Sequence, residues 1–211
     1  MWDTVVVSYF KIRYRFFKWR YHLTFVGKVL LALGMAGVTG LAAKIKIPLF
    51  WTPVPITAQT FAVLLSGVLL GRWWGGISQL LYVMIGAVGV PWFAAGGGYK
   101  ILFGPTGGYI FGFILASLFL GYFTDKYIRS RGFLSMLGLM LFANFVLIHV
   151  PGLLQLGAWF YLVKRTSINF YRLLLMGTLP FIPGDITKII ITAIAAKAIT
   201  PKQAYNGEVD G

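Results

Sequence analysis

The chain has 211 residues, of which 58% are hydrophobic and 11% charged, with a formal net charge of +14 and no cysteine. Soluble domains carry about 25% charged residues, so a water-soluble globule is excluded; disulfides and thiolate metal sites are excluded with it. A mean hydropathy of +0.80 over this length predicts an all-α integral membrane protein. Roughly six transmembrane helices of about 20 residues fit, joined by Gly/Pro-rich outer loops that form a substrate pocket.

Residues 1–22 form a basic and aromatic arm. Lys11, Arg13, Arg15, Lys18 and Arg20 lie within ten residues, just ahead of the first apolar segment. That is a topology signal which also suits anionic lipid, and it leaves no long basic surface for nucleic acid. The arm reads equally as an interfacial helix or as a solvated segment. The long apolar run behind it lacks a small-residue cleavage site, so it is not read as a cleaved signal.

The membrane domain, 23–200, holds six predicted spans: 23–43, 56–70, 77–90, 106–123, 133–150 and 183–199. In the first, Ala32, Ala36 and Gly40 recur every four residues, a smooth face that admits a partner helix or packs internally. KIKIPLFWTPVP, residues 44–55, has three prolines and reads as a structured outer loop. GRWWGG, 71–76, turns the chain between the second and third spans. The stretch 86–113 holds nine of the 26 glycines. Irregular backbone beside apolar helices is tolerated where it is buried or lines a cavity, so it predicts a break that shapes a pocket. Pro151-Gly152 is expected to end the fifth span, 153–182 reads as an outer segment with some helix, and the polar tail 201–211 reads as disordered.

Eight of the nine prolines fall in the loops after the first, third and fifth spans. Most basic residues fall at the opposite end. The positive-inside rule then places both termini in the cytoplasm and the proline-rich loops outside. Lys164 and Arg165, on the outer side, run against that pattern.

Of five acidic residues, Asp185 alone adjoins an apolar span. An ionisable group there is costly, which points to function. Lys188 follows one helical turn later on the same face. The pair either binds a polar ligand or fixes the start of the last helix as a structural ion pair. Lys100, alone among glycines, either binds a carboxylate or reaches the interface. Trp51, Tyr82, Trp92, Phe93 and Tyr109 are candidates to line an apolar pocket, with interfacial or packing roles as the alternative. His22 and His149 share no metal spacing and receive no role; no metal or cofactor is expected. No phosphate-binding loop GxxxxGK[ST], Ser-His-Asp set or HExxH motif is present, so neither ATP hydrolysis nor another enzymatic activity is expected of this chain.

PVPITAQTFAVLLSGVLLG (53–71), LYVMIGAVGVPWFAAGGG (81–98), GPTGGYIFGF (104–113) and LPFIPGDITK (179–188) together resemble the BioY family. These are the biotin-binding membrane subunits of energy-coupling-factor transporters. The resemblance spans about 32–197 and implies six helices and an outward-opening pocket for biotin. It implies a location in the bacterial inner membrane. A transmembrane coupling subunit and two cytoplasmic ATPases are the implied partners. By the same resemblance Ala32 and Ala36 meet the coupling subunit, Asp185 and Lys188 bind biotin, and 48–55 covers the pocket. The long arm, Lys44 and Lys46 depart from the family pattern. A stand-alone, proton-coupled transporter using Asp185, a membrane enzyme, and a subunit for another vitamin are the competing readings.

Overall fold

The computed structural model describes residues 2–205 and 207–210. Eight α-helices account for most of them: α1 (Trp2–His22), α2 (Phe25–Ala42), α3 (Gln59–Ala87), α4 (Gly107–Lys126), α5 (Phe133–Phe142), α6 (His149–Leu162), α7 (Phe170–Gly177) and α8 (Ile182–Ile199). Five helical stretches are long and apolar enough to cross a membrane, Phe25–Ala42, Gln59–Ala87, Gly107–Lys126, Phe133–Leu162 and Phe170–Ile199.

α3 is two of the predicted spans in one run. Gly71 interrupts it with φ 79° and ψ −178°, a backbone region essentially reserved for glycine. The limbs 59–70 and 72–87 fold back on each other, since Gln59 meets Tyr82 and Gln79 meets Ser66. A Cβ on Gly75 would lie 2.9 Å from the Cα of Gly67, so glycines let the two limbs touch. Counting the limbs separately gives six apolar spans. The predicted turn 71–76 shrinks to one residue, because the helix resumes at Arg72. α3 and α4 form the most intimate pair of the bundle, joined by the buried Ser66–Ser117 hydroxyl pair at 2.8 Å.

Three expectations are corrected. Pro151 does not end the fifth span. A π-helical turn, Ala143–Ile148, precedes α6. It resets the hydrogen-bond ladder so that Pro151 falls in the first turn of α6, where its missing N–H costs little. Residues 153–182, expected to be an outer segment with some helix, are mostly helical. α6 runs to Leu162, and the last span begins at Phe170, broken between α7 and α8 by the short 3₁₀ turn Leu179–Phe181. Lys164 and Arg165 lie in the exposed link between α6 and α7.

The tail is folded rather than disordered over its described residues. Arg131 bonds Glu208 at 2.5 Å with both side chains fully buried. Asp210 accepts from the backbone N–H groups of Arg129 (3.0 Å) and Ile128 (2.5 Å), which hold its carboxyl below the usual range. α1 docks at the same end. Arg13 caps α8 by donating to the Lys197 and Ala198 carbonyls at 3.3 and 2.9 Å, and Phe17 is fully buried against Tyr205. Arg20 reaches Asp125 at 2.8 Å. Burial pushes the Tyr205 phenol above its ordinary range, so it stays a donor to Asp125 (3.1 Å). The arm is therefore a helix with one buried face, Arg13, Phe17 and Arg20, and an exposed remainder.

Candidate functional site

At the opposite end of the bundle the chain is irregular. Residues 46–57 form a small flap. Lys46–Ile47 pair antiparallel with Ile56–Thr57, and the proline-rich loop between them lies over the helix ends. Thr52 ties the flap down by donating to the Met176 carbonyl at 2.7 Å. Lys46 donates to the Ala94 carbonyl at 2.6 Å, and Lys44 to the carbonyls of Phe93 (3.2 Å) and Pro91. These two unusual lysines thus fasten the flap's base to the glycine-rich connection. Gln155 in α6 fastens the same connection from the other side, donating to Leu102 and Gly104 at 2.6 and 2.8 Å.

Beneath the flap lies a cavity of about 60 Å³. Its walls include Val54, Phe93, Tyr109, Phe113, Ile148 and Phe181. Its polar groups come from the flap (Thr57), the start of α3 (Gln59, Thr60), α6 (His149) and α8 (Asp185, Lys188). Glycine-rich backbone next to apolar helices therefore does shape a pocket, as its composition predicts.

Asp185 anchors the polar side. Its side chain is 4% exposed, and Lys188 contacts Oδ1 at 2.6 Å from the next turn of α8. The Lys188 ammonium also donates to the Thr57 carbonyl of the flap at 2.9 Å. Asp185 Oδ2 accepts from Asn144 Nδ2 and meets His149 Nε2, both at 2.9 Å. A proton on Nε2 makes the ring a donor to the carboxylate. Nδ1 then accepts from the Thr178 hydroxyl at 3.3 Å, while the Gly177 carbonyl takes the Tyr109 hydroxyl at 2.7 Å. The π turn before α6 holds Asn144 in the buried interior, and the broken α7–α8 junction brings the Thr178 hydroxyl to the imidazole.

The sequence candidates separate into three groups. Asp185, Lys188, Tyr109 and Phe93 line the cavity. Tyr82 and Trp92 stand behind it: the Tyr82 hydroxyl accepts from Gln59 at 2.7 Å, and the Trp92 indole N–H donates to the Tyr82 carbonyl at 2.9 Å. Trp51 and Lys100 are exposed and outside the lining; Trp51 sits edge-on to Phe50 on the flap.

Sequence reasoning missed His149, Asn144, Gln59 and Thr60. His149 and Asn144 are single polar residues in an apolar run, and Gln59 and Thr60 are a polar pair at the start of one; that is the signal they carry. Three buried acceptor atoms face no protein partner among the described residues, Thr60 Oγ1, Gln79 Oε1 and Asn144 Oδ1. Thr60 lines the cavity.

The small-residue stripe on α2 faces inward. Ala32 and Ala36 have no exposed surface, and a Cβ on Gly40 would lie 2.9 Å from Trp92. Its contacts are those of internal packing, so the expected partner-facing role for Ala32, Ala36 and Gly40 is not supported by this arrangement. The outward face of α2 instead carries Leu30, Leu33, Gly34, Val38 and Leu41.

The fold is that of a multi-pass helical membrane protein with a charge-anchored cavity near one end. The profile of the BioY family matches residues 15–204. The chain is 58% identical over 147 residues to a probable biotin transporter BioY of Methanothermobacter thermautotrophicus, covering 69% of this chain and 94% of the relative. It is 35% identical over 160 residues to the biotin transporter BioY of Thermotoga maritima, covering 73% and 84%. It is also 32% identical over 175 residues to that of Rhizobium etli, covering 81% and 91%. A crystal structure of the S-component for biotin from an ECF-type ABC transporter superposes with a TM-score of 0.71 at 25% identity, covering 83% of this chain and 93% of that one. This chain belongs to the BioY family.

Proposed function

We propose that this chain is the biotin-binding S-component of an energy-coupling-factor transporter and holds biotin in the cavity beneath the flap. The observation that carries the reading is the Asp185–Lys188 pair, buried, braced by His149 and Asn144, and placed among aromatic walls. A buried ion pair adds little to folding stability on its own, whereas a donor and an acceptor fixed side by side suit a ureido group. The Asp185 carboxylate accepts from a ureido N–H. Lys188 donates to the ureido oxygen or to the ligand carboxylate, and Phe93, Phe113 and Phe181 surround the apolar thioether ring and chain. The Thr60 hydroxyl supplies a further polar contact. In this reading the flap over residues 48–55 covers the site and lifts for entry. Lys188, bonded to Thr57, links flap position to occupancy.

The partners in this reading are a transmembrane coupling subunit and two cytoplasmic ATPases, because the chain has no phosphate-binding loop of its own. The protein sits in the cell membrane with both termini cytoplasmic and the flap outside. A proton-coupled carrier built on Asp185 has less support, since both carboxylate oxygens already face fixed donors. Equilibrium binding of labelled biotin to the purified chain in detergent is the test. Saturable binding that free biotin competes away is expected. Absence of binding by a folded preparation would refute the assignment.

A further inference from the structure

A second cavity, of about 440 Å³, lies at the far end of the bundle from the flap. It opens between the start of α2, the Gly71 break of α3, the end of α4 and the folded tail. Four cationic side chains reach it, Arg20, Lys28, Arg72 and Lys126, against one carboxylate, Asp125. Arg20 and Asp125 satisfy each other at 2.8 Å, and the second Asp125 oxygen takes the Arg72 backbone N–H at 3.0 Å. Lys28, Arg72 and Lys126 therefore have no ion pair among the described residues.

Aromatic faces hold these cations in place. The Arg72 guanidinium lies 4.5 Å from the Trp73 ring centroid and 5.0 Å from that of Tyr122. Lys126 donates to the Tyr122 hydroxyl at 2.8 Å, and Lys28 sits 5.8 Å over Tyr21. Stacking positions a guanidinium but leaves its N–H fork free for an anion. The remaining wall is apolar and continuous with the bilayer-facing side of α2, where Phe25, Val26 and Leu30 are 73%, 66% and 63% exposed. Phe25 packs edge-on against Trp74 of the cavity wall.

We infer that this cavity binds the headgroup of an anionic phospholipid. The phosphate accepts from Arg72 and Lys28, the indoles of Trp73 and Trp74 sit at headgroup level, and the acyl chains follow the apolar row of α2. A free phosphate ion matches the charge but leaves most of the volume and the apolar wall unused. The bound lipid bridges α1, the α3 break and α4, the same elements that Asp125 ties together. This inference rests on the chain spanning a membrane, not on the identity of its transported ligand.

The test is native mass spectrometry of the full chain, purified and equilibrated with equal amounts of phosphatidylglycerol and phosphatidylcholine. Wild type is expected to retain phosphatidylglycerol selectively. The double variant Lys28→Gln/Arg72→Gln is expected to retain about thirtyfold less, on the order of fivefold per basic residue at an anionic membrane surface. Lys164→Gln, at the other end, is expected to retain as much as wild type. Millimolar inorganic phosphate is expected to leave the adduct in place. Equal retention of the two lipids, unchanged retention by the double variant, or full displacement by inorganic phosphate overturns the inference; the last would mean a simple anion site. Loss of coupling-subunit binding by the double variant with lipid retention unchanged also overturns it, in favour of a protein docking surface. Should the double variant not fold, thermal unfolding of wild type decides. A rise in Tm with phosphatidylglycerol and none with phosphatidylcholine supports the site, and equal rises reject it.

Discussion

Asp185 is the residue on which ligand binding and local structure converge, because its carboxylate meets Lys188, His149 and Asn144 at once. Replacing it by Asn removes a charge-assisted hydrogen bond of about 1.5–3 kcal/mol, which is roughly ten- to hundredfold in biotin affinity. Lys188→Met is expected to cost a similar amount. Both changes also strand a buried partner, at about 3–5 kcal/mol, so binding is to be measured by titration of the folded fraction. Unchanged Kd in both variants would show that the pair is purely structural. Thr60 separates the two effects more cleanly. Its buried hydroxyl has no protein partner among the described residues, so Thr60→Val is expected to leave Tm unchanged or raised. Affinity for biotin should fall by roughly two- to tenfold, the worth of one ordinary hydrogen bond of about 0.5–1.5 kcal/mol. Lower Tm with normal affinity would contradict that role. Asp185 and Lys188 were readable as a pair because their spacing is local. Asn144, His149 and Thr60 come to the same place from three other elements, and no spacing rule connects them.

Among the elements, α3 depends most on one backbone position. Gly71 holds a glycine-only conformation, and a Cβ there would strike the Asp125 carboxylate that anchors α1, α3 and the tail. Gly71→Ala is expected to cost about 1–3 kcal/mol for the backbone alone, and more for the displaced Asp125. A clear fall in Tm in detergent, with biotin still bound at low temperature, is the expected result. A Tm equal to wild type would mean that the break relaxes without cost. α2 carries the opposite lesson. Its Ala32–Ala36–Gly40 stripe is occupied by the protein's own core, so Ala36→Leu is expected to overpack by about 1–3 kcal/mol and to lower the yield of folded protein. Normal stability with selective loss of coupling-subunit binding would restore the partner-facing reading.

For the molecule as a whole, the distribution of charge and proline defines two ends. The flap end carries the charge-anchored cavity, and the basic end carries α1, the tail and the Asp125 junction. The absence of cysteine makes sidedness testable with single replacements. Gly97 is a poor site, because a side chain there meets the Gly89 and Val90 carbonyls. Phe50 is 97% exposed on the flap, and Lys202 is exposed at the other end. A membrane-impermeant thiol reagent added to intact cells is expected to label Phe50→Cys and spare Lys202→Cys. The reverse pattern would invert the topology.

Sequence alone settled what local chemistry settles. Apolar runs of sufficient length place spans near 23–43 and 106–123, and the structure has α2 and α4 there, within a few residues. One turn of helix sets Asp185 beside Lys188. Proline and glycine density marks the connections that line the cavity. The tertiary structure decided whatever depends on a distant neighbour. Whether Ala36 faces a partner or α3 turns on helix rotation, which a stripe of small residues leaves open. Pro151 reads as a terminator until the π turn ahead of it supplies the register in which a missing N–H is harmless. The tail reads as disordered until Arg131 and the backbone of 128–129 bind Glu208 and Asp210. His149 reads as an isolated residue until α8 brings a carboxylate to its ring, since a hydrogen-bonding site is defined by distance in space and not along the chain.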